Sequence, residues 1–361
     1  MSIEAKQSPL DMKNKKIKQR AVVICPGRGT YNKDELGYLK RLHGDKVELI
    51  NLIDEYRAQQ EQMAIAELDG MDNYTMRLHT AGENASALIY ACAMADFQSI
   101  NRDEYDVVAV TGNSMGWYIA LAAAGVLSPV NAIELINTMG SMMTNGVIGG
   151  QLIYPVVDDN WQISKERLAS VEQALLAAKQ VENAEVYLSI ALGGYRVFGG
   201  NQEGLSALAK ALPPLDDRYP MNLFNHAAFH TPLLQDTANK AQQLLSPALF
   251  DSPSIPLIDG LGNIWQPYST DVNKLYHYTL QTQVVEPYQF SKAVEVAIKE
   301  YAPDKLIILG PGATLGGAVA QCLVADNWQG IKDKGSFIDC QKTEPYILSM
   351  GLTEQRKRVT S

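Results

Sequence analysis

The chain has 361 residues, of which 46% are hydrophobic and 20% charged. That composition excludes a disordered polymer, which lacks the apolar residues to build a core, and the length fits about two domains at roughly 150 residues each. With 31 Lys and Arg against 40 Asp and Glu the net charge is −9, and an acidic surface repels phosphate backbones, so nucleic-acid binding is not expected.

Residues 1–20 are polar and basic, with Lys6, Lys13, Lys15, Lys16, Lys18 and Arg20. No apolar core of a secretory signal follows, because AVVIC runs straight into Pro26, so this reads as a flexible basic leader. No stretch reaches the ~18 apolar residues a membrane span needs. Cys25, Cys92, Cys322 and Cys340 have no CxxC spacing. Zinc ribbons and disulfide scaffolds are therefore disfavoured, and a reducing, cytoplasmic compartment is expected.

Taken in chain order, residues 21–25 form a short β-branched run that stops at Pro26-Gly27-Arg28-Gly29, as a buried strand ending in a loop does. Residues 46–53 are a second apolar element. Residues 81–97 are Ala-rich without Pro and predict a buried helix. Residues 106–111 (DVVAVT) predict a buried strand, broken by GNSMG and followed by a helix that ends at Gly125. Ser128-Pro129 opens another helix, with Ser as cap and Pro in the first turn. Residues 305–309 are a late strand, followed by GPG and a small-residue helix. Strands alternating with helices predict a mostly parallel sheet flanked by helices.

The middle reads differently. Residues 151–157, 185–191, 195–198 and 218–223 are strand-like, while 164–179 and 203–212 are helical. The order βαββαβ is the ferredoxin-like pattern. The expected organisation is an α/β core from 21–148 and 226–325, an inserted ferredoxin-like domain at 149–225, and a C-terminal extension at 326–361.

Gly112-Asn113-Ser114-Met115-Gly116 carries the strongest chemical signal. Strand, G-x-S-x-G and helix, in that order, is the context a nucleophile elbow requires. The glycines allow a sharp turn that exposes the Ser114 hydroxyl, and the Met115 amide can receive a developing oxyanion. A hydroxyl needs a base. The candidates are His43, His79, His226, His230 and His277, and His230 stands out in FHTPLL, at the junction back from the inserted domain. The other four read as hydrogen-bonded structural residues. His226 and His230 lack the Glu of HExxH, and Pro232 interrupts any helix there, so a zinc pair is not expected. Gly27-Arg28-Gly29 has Asn32, and Gly310-Pro311-Gly312 has Leu315, where a third glycine is needed; neither is a nucleotide cradle.

These segments together resemble the malonyl-CoA:acyl carrier protein transacylase family. GNSMGWYIALAAAGVL is similar to its GHSLGEYSAL…AGV segment, CPGRG to its FPGQG loop, AAFHTPLL to its FHSPLM-type histidine segment and GPGATLGG to its LGPG…L segment, in that order from about residue 21 to 321. The resemblance implies an α/β core with a ferredoxin-like insertion. It implies that Ser114 becomes acylated, that His230 is its base, and that the backbone carbonyl of Gln283 orients the histidine. It places the oxyanion hole at the amides of Met115 and Arg28, and matches Asn84 to a family Gln near the nucleophile. Acyl-CoA is the implied donor and a phosphopantetheinylated carrier protein the acceptor, with no further cofactor and no metal.

The chain also departs from the family. An arginine that pairs with the malonyl carboxylate falls at Met139, within an apolar stripe of Leu135, Ile136, Met142 and Met143. A buried carboxylate without its partner costs several kcal/mol, and a thioether cannot replace a bidentate guanidinium. An uncharged acyl group is therefore expected, unless Arg28, where the family has Gln, supplies the cation instead. Asn113, Trp117 and Phe229 are the other expected acyl-selecting positions, and Ser189, Ala191 and Tyr195 replace polar residues of the family's small-domain strands. Alternatives are a thioester hydrolase on the same scaffold and a non-catalytic carrier-binding module. A conventional α/β-hydrolase is disfavoured because its histidine comes late, after an Asp or Glu.

Overall fold

The computed structural model describes residues 17–142 and 148–360; residues 1–16 of the leader and Met143 of the apolar stripe lie outside them. Ten strands are described: β1 (Gln19–Cys25), β2 (Tyr105–Gly112), β3 (Gly150–Pro155), β4 (Val186–Leu192), β5 (Tyr195–Gly200), β6 (Met221–Leu223), β7 (Leu257–Ile258), β8 (Ile264–Trp265), β9 (Lys305–Ile308) and β10 (Ile347–Ser349).

Six of them form one sheet in the order β10-β9-β1-β2-β7-β8. All neighbours are parallel except β7 and β8. Ala21–Cys25 and the whole of β9 are buried, as expected of strands covered by helices on both faces. The register pairs Cys25 with Gly112. The strand ends therefore coincide, and the loop after β1 lies against the turn after β2. Asn113 N–H donates to Cys25 O at 3.1 Å across that junction.

The helix Gly82–Ser99 is buried along most of its length, as its Ala-rich sequence predicts. Ser128 caps the helix Pro129–Ser141 by accepting from Asn131 N–H. The apolar run at 46–53 is the first half of a helix, Val47–Gln59, with Leu49 and Ile53 turned inward.

The remaining strands form a four-stranded antiparallel sheet, β4-β5-β3-β6. Helices Lys165–Ala178 and Gln202–Ala211 pack on it around Leu152, Val171, Phe198 and Leu208. This is the ferredoxin-like unit. Its last strand is only Met221–Leu223, shorter than the extended segment expected at 218–223.

Residues 326–361 are expected to be an extension; of these, 326–360 are described and are built into the core. They supply β10 and the helix Thr353–Thr360. Arg356 pairs with the buried Asp96, which also holds His43 at 2.8 Å, accepts from Tyr38 at 2.9 Å and accepts from the Gly310 amide at 2.7 Å. No helix among the described residues is long and apolar enough to cross a membrane.

Candidate active site

The turn after β2 is tight enough to dictate its own residues. A Cβ at Gly112 would sit 2.2 Å from Gly116 O, one at Gly116 2.3 Å from Cys25 O, and one at Gly27 2.6 Å from Asn113 O. Only glycine allows three backbones to meet this closely. Between them Ser114 adopts φ +55°, a left-handed conformation that a serine holds only where its surroundings impose it. The helix Gly116–Ala123 begins directly afterwards.

His230 arrives from the other side of the inserted domain, also at positive φ (+57°), just before the short helix Pro232–Leu234. Its Nε2 lies 2.7 Å from Ser114 Oγ, and its Nδ1 lies 2.6 Å from Gln283 O. A carbonyl oxygen only accepts, so Nδ1 carries the proton and the Nε2 lone pair faces the serine hydroxyl. Burial pushes the His230 pKa down to about 4, against the opposing pull of the Gln283 carbonyl.

Gln283 holds this pair together from both ends. Its Nε2 donates to Ser114 O at 3.1 Å, and its Oε1 accepts from Tyr118 OH at 2.9 Å. Tyr288 sets its ring 5.2 Å from that of His230 and donates to Gly112 O at 2.5 Å. Neither tyrosine was singled out by the sequence, because their partners lie far away along the chain.

Ser114 and His230 border a cleft of about 710 Å³ between the two sheets' domains, which Met115 and Arg28 also line. The amides of Met115 and Arg28 have no protein acceptor among the described residues. The Arg28 side chain is half-buried. Its Nη2 donates to Thr80 O (3.1 Å) and Asn225 O (3.3 Å), and its guanidinium lies 5.5 Å from the Phe229 ring centre. Burial pushes its pKa down to about 10, and among the described residues it meets no carboxylate. Met139 lines the cleft with Ile136, Phe229, Leu234 and Val284, and both Met139 and Phe229 pack against the cluster of Leu234, Ala238 and Val284. Asn113 borders it too, with a buried Oδ1 that has no partner among the described residues. Tyr195 is in the wall.

Other expectations need correction. Trp117 is fully buried and does not line the cleft. Helix rotation turns it into the core, where its Nε1 donates to Thr279 Oγ1 at 3.0 Å and its ring meets Tyr278 edge-on. Asn84 faces away from the cleft, accepting from the buried Arg57 at 2.6 Å and donating to Leu78 O. Ala191 contributes a backbone bond to Tyr288 O instead of a wall. Ser189 is buried behind the wall and donates to Phe229 O at 2.8 Å. His43 and His79 are buried and hydrogen-bonded, and His277 is exposed. His226, grouped with them by sequence, borders the cleft instead and bonds Gln151 Oε1 at 2.7 Å.

No family model matches the chain. It is 27% identical over 215 residues to a non-reducing polyketide synthase of Arthroderma otae, covering 59% of this chain and 11% of that protein. It is 25% identical over 211 residues to the malonyl CoA-acyl carrier protein transacylase of Salmonella typhimurium, covering 58% of this chain and 63% of that one. The chain thus spans less than two thirds of either relative. In fold it is similar to the malonyl-CoA:acyl carrier protein transacylase of Xanthomonas oryzae, with a TM-score of 0.72 at 19% identity over 94% of this chain and 96% of that one. In its ordered motifs, its sequence relatives and its fold, the chain is similar to the malonyl-CoA:acyl carrier protein transacylases.

Proposed function

We propose that the chain is an acyltransferase that moves an acyl group from acyl-CoA to the phosphopantetheine thiol of a carrier protein through an ester on Ser114. The reading rests on the 2.7 Å contact between Ser114 Oγ and a neutral His230 inside a cleft large enough for a thioester. Ser114 Oγ attacks the thioester carbon while its proton passes to His230 Nε2. The oxyanion is received by the amides of Met115 and Arg28. The C–S bond breaks, and the departing thiolate takes the proton from His230. In the second half the carrier thiol gives its proton to His230, its sulfur attacks the acyl ester, and the C–O bond breaks as His230 returns that proton to Ser114 Oγ, restoring both side chains. Both halves share one tetrahedral geometry, so one pair of amides serves both. No resident cofactor enters this scheme.

The pocket is apolar where Met139, Phe229, Leu234 and Val284 line it, which supports an uncharged acyl group. A second reading rests on Arg28: a cation at the cleft with no carboxylate partner among the described residues is a place for a malonyl-type carboxylate. If water replaces the carrier thiol, the same pair hydrolyses the thioester, and the ratio of acyl-carrier to free acid separates the two.

The test is a panel of acyl-CoAs, read by intact mass with and without a phosphopantetheinylated carrier. An acyl adduct on wild type, absent from Ser114→Ala and discharged by the carrier, is the expected result. No adduct from any donor, with wild type and Ser114→Ala alike, overturns the proposal.

A further inference from the structure

A second imidazole borders the cleft. His226 sits where the main cleft meets two smaller cavities, its ring edge-on to Phe229 at 6.0 Å. Its Nδ1 lies 2.7 Å from Gln151 Oε1; Gln151 Nε2 donates to Ser189 Oγ at 2.7 Å; and Ser189 Oγ donates to Phe229 O at 2.8 Å. The last acceptor fixes the direction of the whole relay. A carbonyl cannot donate, so the Ser189 hydroxyl gives its proton to Phe229 and must accept from Gln151. Gln151 therefore turns its amide nitrogen to Ser189 and its oxygen to His226, and Nδ1 of His226 must carry the proton. Its Nε2 is then a lone pair, with no donor among the described residues. Burial and the nearby charge of Arg28 push its pKa down to about 3, so it stays an acceptor at neutral pH.

We infer that His226 Nε2 is an acceptor subsite of the cleft that binds a neutral N–H or O–H donor of the thioester substrate. This rests on the acyltransfer reading above. Two parts of such a substrate carry that chemistry: the amides and hydroxyl of the pantetheine arm, and a hydroxyl on the acyl chain. His226 is a positioning residue for the substrate, distinct from the base His230.

Two variants separate binding from packing. In His226→Asn the side-chain amide retains an N–H near Nδ1 for Gln151 and removes the cleft acceptor. In His226→Gln an oxygen is returned near Nε2. Formation of the Ser114 adduct is measured by mass for acetyl-CoA, butyryl-CoA, 3-hydroxybutyryl-CoA and the truncated thioester S-ethyl thioacetate, which has no N–H or O–H, with thermal melting of each variant as a folding control. The expected result is a KM raised about three- to tenfold in His226→Asn with kcat held, as loss of one hydrogen bond implies, and recovered in His226→Gln. A rise with acetyl-CoA that vanishes with the truncated thioester assigns the donor to the pantetheine arm. A rise confined to 3-hydroxybutyryl-CoA assigns it to the acyl hydroxyl. Wild-type adducts with the same KM in both variants, or an equal change with every donor, overturn the subsite and leave the acyltransfer reading intact. A wild type that forms no adduct overturns both.

Discussion

The Nδ1–H of His230 donates to the main-chain carbonyl of Gln283 at 2.6 Å. A backbone dipole, not a carboxylate, thus orients the imidazole. It fixes the tautomer without a full negative charge that would favour imidazolium, and it survives any substitution at position 283 that keeps the fold. The side chain of Gln283 is then free to tie Ser114 O to Tyr118 OH, so one residue holds both sides of the serine–histidine contact.

Gln283→Ala keeps the carbonyl and removes that tie. The elbow and the base then lose their common brace, and misplacement of reacting groups lowers the chemical step more than binding. Single-turnover acylation of Ser114 is expected to slow by about tenfold or more with little change in KM. Tyr118→Phe, which removes one of the two bonds, is expected to slow it less. An unchanged rate in both variants would show that the backbone bond suffices.

With His230 as the proposed base, its depressed pKa is expected to set the acid limb of activity. Its pKa falls from 6.5 to about 4 in the folded protein, so the free base persists well below pH 6. The kcat/KM profile is expected to fall off toward pH 4, not near 6.5, which a buffer series with one donor measures. The same shift acts on stability. Folded His230 binds protons less readily than the unfolded chain, so stability is lost as pH drops from about 6.5 to about 4. Urea denaturation across that window checks the sign.

Met139→Arg places a guanidinium in the apolar wall that Phe229, Leu234 and Val284 form with this residue. It is expected to raise malonyl relative to acetyl transfer, because a carboxylate gains a partner while a methyl group loses an apolar contact. Arg28→Gln tests the other side of the cleft. A loss confined to malonyl identifies Arg28 as the carboxylate partner, whereas equal loss for both donors reduces it to a loop residue whose amide alone matters. Ratios of kcat/KM for the two donors decide both.

Asp96 joins the helix Gly82–Ser99 to the C-terminal helix through Arg356. Arg356→Leu leaves a buried carboxylate with His43, Tyr38 and an amide as its remaining partners. Breaking a buried pair by removing one member costs about 3–5 kcal/mol, and urea unfolding is expected to show a loss of that order. A change below about 1 kcal/mol would mean that the remaining partners suffice.

Much of this was legible because its causes are local. The strand over 105–112, the GNSMG turn and the helix behind it are set by β-branched residues, two close-approach glycines and a run of small side chains. The βαββαβ unit is legible from its periodicities. The short strands β7, β8 and β10 were not, since two or three residues carry no period, and their pairing is decided by the neighbours they meet. Trp117 was misplaced for a related reason: the sequence gives its distance from Ser114 along the chain, while the turn into the helix decides which way its side chain faces.

By itself the sequence determined the elbow, the histidine segment and the βαββαβ order of the small sheet, because each is written in residues that adjoin one another. Only the tertiary structure decided that Tyr118, Tyr288 and the side chain of Gln283 brace the site and that His226 borders the cleft. Those contacts join positions far apart in the chain, and chain separation carries no information about distance until the sheets have packed.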